Sequence, residues 1–211
     1  MAEANQLYEA IINGDNKAAV AITREALAAE ADPLELVNRQ MIPAMAEVGR
    51  RFECEEYFVP ELLLAARAMK GALVLIRPLL IERGAEPVGR VVIGTVKGDL
   101  HDIGKNLVAS MLEGGGFEVI DLGADVSPEK FVSEAQEKKA DIVALSALLT
   151  VTMPSMKTTI EALRAAGLRE RVKVLIGGAP VTEDYAAQIG ADGYGTNAAS
   201  AVPLARKVLG K

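Results

Sequence analysis

Up to about residue 83 the apolar residues recur at three- and four-residue spacing. Beyond about residue 90 they gather into short unbroken runs separated by amphipathic stretches. The first pattern predicts helix throughout. "NQLYEAIING" closes on Gly14, and Asp15 or Asn16 is placed to cap the next segment, "KAAVAITREALAAE". "DPLELVNRQMIPAMAEVGRRF" opens with Asp32 and Pro33, a cap and first-turn pair. Its residues Leu34, Val37, Met41, Ala44, Met45 and Val48 form one predicted apolar face. A fourth segment, "PELLLAARAMKGALVLIRPLL", starts at Pro60. Four helices with short loops predict a small antiparallel four-helix bundle, residues 1–83.

Residues 84–89 carry a glycine at each end and a proline between, and read as a linker. In residues 90–211 the runs are "RVVIGTV", "FEVIDLG", "ADIVALSAL", "KVLIGG" and "ADGYGT", each followed by an amphipathic stretch. Strand and helix alternating in this way predict an α/β domain with a doubly wound, five-stranded parallel sheet. The runs are apolar at successive positions, as strands covered on both faces must be.

Composition and charge narrow the possibilities. The net charge is -6, and a phosphate backbone needs a basic face, so nucleic acid is not expected as a partner. The longest apolar stretch is interrupted by arginines and a lysine, which argues against a membrane crossing. "MAEANQLYEA" has neither the basic nor the apolar region of a secretion signal, and Cys54 is the single cysteine. A cytoplasmic location is expected.

The chain has one histidine, His101, in the loop after the first predicted strand, two residues after Asp99 and three before Gly104. In a doubly wound sheet, ligands bind at the carboxyl ends of the strands, where such loops converge. "SALLTVT" (Ser146 to Thr152) follows the third strand and "GGAP" (Gly177 to Pro180) the fourth, so three unusual loops share one rim. A carboxylate near an imidazole can fix its tautomer and strengthen it as a metal ligand. One histidine cannot build a zinc site, which needs three or four protein donors. A metal that arrives with its own ligands, as in a tetrapyrrole-type macrocycle, needs only one. Taken singly, Gly104, Gly177 and Gly178 are ordinary turn residues. Together with Ser146 and Ala147 they predict a slot between sheet and helices. The usual nucleotide fingerprints are absent.

Asp99-x-His101-x-x-Gly104, then 41 residues, Ser146-x-Leu148, then 28 residues, Gly177-Gly178, resembles the vitamin B12-binding signature in residue type and spacing. "VGRRFECEEYFVPELLLAARAMKGAL" is similar to the helical cap segment of cobalamin-dependent methionine synthase. A helical bundle followed by such a domain looks like the corrinoid methyl-carrier proteins of methyltransferase systems, with a Rossmann or flavodoxin-like cobalamin-binding domain. The resemblance implies cobalamin as cofactor, methylated or in the Co(I) state, bound base-off with His101 as the lower axial ligand of cobalt. It implies that Asp99 holds His101 and that Thr152, a serine in methionine synthase, extends the relay. Ser146, Leu148, Gly177 and Gly178 would line the slot for the nucleotide tail. Asp102, Gly104 and Thr150 complete the implied cofactor-binding set in this half. Phe52 and Val59 would lie over the upper face, Val59 standing where methionine synthase has a leucine. Implied partners are a substrate:corrinoid methyltransferase (for methylamine, methanol, a methoxylated aromatic or a betaine), a methylcorrinoid:acceptor methyltransferase acting on tetrahydrofolate or a thiol, and a reductive activase. The carrier itself would be non-catalytic. An adenosylcobalamin mutase small subunit is the alternative within the same chemistry, but the attached helical segment with Phe52 argues against it. A B12-dependent sensor is a second, weakened by the lack of tryptophan and of a basic segment. A flavodoxin-like binding domain without cobalt is a third.

Overall fold

The computed structural model of the chain describes residues 5–211; residues 1–4, part of the stretch read as lacking a secretion signal, lie outside the described residues. The chain divides into two compact units: residues up to Pro87 together with Glu113–Gly116, and Val88–Leu112 together with Phe117–Lys211.

The first unit is helical. It holds α1 (Gln6–Ile12), α2 (Asn16–Ala28), α3 (Pro33–Leu36), α4 (Ile42–Glu53) and α5 (Val59–Glu82). Asp15, rather than Asn16, caps α2 by accepting from the Ala18 N–H at 2.9 Å, and Asp32 caps α3 through the Leu34 N–H at 3.0 Å. Between α3 and α4 runs a π turn, Val37–Met41, in which the Ile42 N–H reaches back to the Val37 carbonyl. Pro43 follows at once. Having no N–H, it cannot give the carbonyl four residues earlier its hydrogen bond, and the wider turn absorbs the defect. The extra residue also rotates the helix face. Leu34 is therefore exposed, against the expectation from spacing, while Pro33 and Leu36 are buried with Met41, Ala44, Met45 and Val48. In α5 the residues Leu62, Ala65, Met69, Ala72 and Ile76 are buried at three- and four-residue spacing. Pro78 lies inside α5, and the Val74 carbonyl it leaves unpaired belongs to an exposed residue that water can reach.

The second unit contains five parallel strands: β1 (Arg90–Thr95), β2 (Glu118–Asp121), β3 (Ile142–Ser146), β4 (Lys173–Gly177) and β5 (Gly193–Gly195). They lie in the order β2-β1-β3-β4-β5. The connecting helices are α6 (Ile103–Gly114), α7 (Pro128–Glu137), α8 (Pro154–Ala165) and α9 (Glu183–Ile189), and α10 (Ala201–Leu209) ends the chain. The doubly wound sheet expected from the sequence is present. Side chains alternate across it with the two-residue period of a strand. Val91, Ile93, Ile142, Ala144 and Leu175 pack on one face with Leu112 and Ala205. Val92, Val143, Leu145, Val174 and Ile176 pack on the other with Phe131, Met156 and Ile160. The order reverses between β1 and β3, so the loops leaving these neighbours diverge to opposite faces and open a crevice.

Gly14 has a φ of +68°, and a β-carbon there would lie 2.6 Å from Leu64 Cβ. An L-residue in this backbone region costs about 1–2 kcal/mol before any clash. Gly14→Ala is expected to destabilise the helical unit by at least about that amount, read as a lower urea midpoint by far-ultraviolet circular dichroism. An unchanged midpoint would contradict the packing described.

Candidate functional site

The loop after β1 turns back sharply, the Asp99 N–H bonding to the Val96 carbonyl at 3.1 Å and the Gly98 N–H to Asp125 Oδ1 at 2.7 Å. The turn drives the Asp99 side chain inward, where it is fully buried. A buried carboxylate must be met by donors. Asp99 Oδ1 receives the His101 backbone N–H at 3.1 Å and lies 2.7 Å from His101 Nδ1. Its Oδ2 receives the Leu148 and Leu149 N–H groups at 2.8 and 3.3 Å and the Thr152 hydroxyl at 2.7 Å. Thr152 Oγ1 also stands 2.8 Å from the Leu149 carbonyl. Its single proton serves the charged acceptor better. Burial alone pushes the Asp99 carboxyl up, but hydrogen bonds from Thr152, His101 and Leu148 outweigh it and hold the group below the ordinary carboxylate range.

An ionised carboxylate only accepts, so His101 must carry its ring proton on Nδ1. Nε2 is then the ring atom left for another partner, on a side chain half exposed to solvent. Thr95, at the end of β1, fixes the same segment from the other side by donating to the His101 carbonyl at 2.9 Å. The result is an imidazole oriented through Nδ1.

Beside it opens a cavity of about 690 Å³ on the α6 and α10 face of the sheet. His101, Asp102, Gly104, Ser146, Leu148, Gly177 and Gly178 all line it, as do Ala144, Tyr194 and Leu204. Small residues leave the space that side chains would fill. At Gly178 the φ is +136° and a β-carbon would come within 1.8 Å of the Ala147 carbonyl oxygen, so no other residue fits. Asp99 and Thr152 lie behind the cavity wall as a buried relay. Thr150 is an exposed turn residue and does not line the cavity. The hydroxyl that turns inward is the one two residues later. Phe52 is half-buried and Val59 exposed within the helical unit, and neither belongs to its buried core.

Two residues escaped the sequence reading. Thr95 is the one buried polar side chain of β1, and Lys105 stands in phase with Val108 and Leu112 on the inward face of α6 and is buried. Among the described residues no group of three or more His, Cys, Asp and Glu could hold a metal ion, and no helix is long and apolar enough to cross a membrane.

Residues 89–202 match the family described as the B12 binding domain, and residues 3–77 match a second family with the same description. The chain belongs to the B12-binding family. It is 46% identical over 203 residues to trimethylamine corrinoid protein 1 of Methanosarcina acetivorans, covering 95% of this chain and 94% of that one. The crystal structure of a cobalamin-binding protein from Desulfitobacterium hafniense DCB-2 matches with a TM-score of 0.79 at 37% identity, covering 95% of this chain and 96% of that one. A chain of the methanol:cobalamin methyltransferase complex from Methanosarcina barkeri matches with a TM-score of 0.85 at 30% identity, covering 97% of this chain and 78% of that one.

The residues of this B12-binding chain fit the group. The cavity is within the roughly 300–1,000 Å³ typical of ligand pockets, and its lining is mostly aliphatic and glycine. The donor set is one imidazole, which suits a metal whose remaining positions a macrocycle fills.

Two outcomes follow from this geometry. Every partner of the Asp99 oxygens donates, so Asp99→Asn turns an amide N–H₂ toward N–H or O–H groups whichever way it lies. At neutral pH the variant is expected to lose about 1–3 kcal/mol in urea unfolding. The folded Asp99 value lies below the ordinary 3.8, so its contribution is present above that pH and fades as the pH falls further. The gap between wild type and variant should therefore close in acid; a pH-independent gap would contradict the assignment. Separately, Ala144→Leu fills the cavity. Corrinoid uptake, measured by absorbance after gel filtration, should weaken roughly tenfold or more without loss of apoprotein stability.

Proposed function

We propose that the chain carries a methyl group on a corrinoid, between a substrate-specific methyltransferase and a second methyltransferase acting on tetrahydrofolate or a thiol. Residues 1–83 serve as the helical cap, 84–89 as the linker and 90–211 as the cofactor-binding domain. One observation carries the reading: the 2.7 Å contact of His101 Nδ1 with the buried Asp99, which leaves Nε2 as a lone-pair donor at the mouth of the cavity. When bound, the corrinoid supplies a cobalt centre that accepts and releases a methyl group.

The chain's own residues do the rest. His101 Nε2 provides the lower axial ligand, in the base-off, His-on form. Asp99 holds the Nδ1 proton, and Thr152 holds Asp99 at its second oxygen. Gly177 and Gly178, with Ser146 and Leu148, line the slot for the nucleotide tail. Leu100, Ile103, Leu148, Leu149 and Val151 are exposed on the loops around His101 and give a large apolar ring system a surface to rest on. Asp102, Gly104 and Thr150 are kept as cofactor contacts, Thr150 from the rim, and Phe52 and Val59 keep the upper-face role that the family resemblance implies. On this reading substrate chemistry falls to the partner enzymes, with a reductive activase restoring the reduced state. Similarity to a trimethylamine corrinoid protein supports a methylated nitrogen compound as the donor class. Cytoplasmic location belongs to this reading.

The test uses protein labelled with ¹⁵N-histidine, in which His101 is the sole labelled residue. After anaerobic reconstitution with hydroxocobalamin and reduction to Co(II), the electron paramagnetic resonance spectrum should show ¹⁵N coupling. His101→Ala should lose it and bind the corrinoid about 10–100-fold more weakly. Retention of corrinoid without ¹⁵N coupling in the parent protein would overturn the ligand assignment.

A further inference from the structure

Among the described residues two charged side chains are buried, Asp99 and Lys105, and they bracket His101. The work of Asp99 is clear from its contacts. Lys105 also borders the cavity, but its ammonium is buried and its neighbours already account for all its protons, so direct contact does not explain it. Lys105 Nζ lies 2.6 Å from both oxygens of Asp121 and 2.7 Å from Asn106 Oδ1. Asp121 is fixed at the end of β2, paired in register with Ile93 of β1, and accepts the Gly123 N–H at 2.9 Å. Asn106 in turn donates through Nδ2 to Asp102 Oδ2 at 3.2 Å, and its backbone N–H reaches the Asp102 carbonyl at 2.8 Å. A polar chain thus runs from the sheet through Lys105 and Asn106 to the residue that follows His101.

The segment Leu100–Gly104 is exposed throughout, so apolar burial does not hold it. A buried ion pair adds little net stability against an apolar alternative, and its best-attested use is to fix one arrangement. We propose that Lys105, clamped on Asp121, is a positioning residue for His101: it pins the downstream end of the ligand segment as Asp99 pins the upstream end. This rests on His101 being the axial ligand.

The experiment measures the His-ligated fraction of bound corrinoid by ¹⁵N-histidine coupling in the Co(II) protein, beside total corrinoid retained and apoprotein melting. Lys105→Met is expected to keep corrinoid through gel filtration while the ratio of ligated to unligated cofactor falls about tenfold. Lys105→Met with Asp121→Asn should be no worse than Lys105→Met alone, since the two act as a unit. A ligated fraction equal to wild type, with only melting or total uptake lowered, overturns the proposal. Should Lys105→Met not fold, the exposed Asn106→Ala decides, because it removes the side-chain link between Lys105 and Asp102 and leaves the ion pair intact; a wild-type fraction there also overturns it. Absence of ¹⁵N coupling in the parent is a different failure, that of the ligand assignment itself.

Discussion

A carboxylate buried in the crevice between β1 and β3 sets the terms for everything around it. Asp99 could not remain charged in that position without donors on both oxygens. Those donors come from separate places: its own loop, the backbone amides of Leu148 and Leu149 in the loop after β3, and the hydroxyl of Thr152. Satisfying one charge therefore stitches two loops together across the switch point of the sheet. The same charge selects the tautomer of His101. Loop geometry, buried electrostatics and ligand chemistry are here a single constraint, and moving any partner of Asp99 also moves the imidazole.

The sheet order explains why the constraint can exist. With β1 and β3 adjacent and parallel, the register pairs Thr95 with Ser146, so both strands end at the same height and their loops start side by side. The cavity opens on the face where Ala109 of α6 and Ala205 of α10 share a core with Ala144 of β3. The opposite face is filled by Phe131, Met156 and Ile160. One face of the domain is built for stability and the other gives up packing for space.

How much of this was legible in the sequence depended on the range of the interaction. The strands were readable because alternation and burial on both faces are local, and Asp32 with Pro33 announced a helix start that the Leu34 N–H contact bears out. Leu34 departs from its expected burial. Apolar spacing continues in phase through Pro43 only in a regular helix, and a proline in that place signals a change of phase. The triplet of motifs pointed to the rim because each lies just past a strand. The family resemblance names Thr152 for the relay, and its hydroxyl does reach Asp99 Oδ2; spacing alone does not separate it from Thr150, since which hydroxyl turns inward is decided by a three-dimensional turn and by a charge fifty residues away. Lys105 was visible only as a polar residue in an apolar phase. Its partner Asp121 comes from strand β2, and that pairing is a property of the fold.

A single imidazole is a weak way to hold a metal cofactor, and the structure indicates why one would be enough on the proposed reading. The cavity and the histidine are adjacent on one sheet edge, so a ligand whose tail occupied the cavity would present its metal to Nε2 at high effective concentration. His101 would then add to an attachment that the cavity residues already supply. For that division of labour, the position of His101 matters more than its intrinsic affinity. The ligand segment is exposed and gains nothing from the hydrophobic core, so its position has to come from polar anchors. Both buried charges of the described chain are spent there, within four residues of the ring. A molecule that placed them elsewhere could be more stable, but its imidazole would be free to swing away from the cavity mouth.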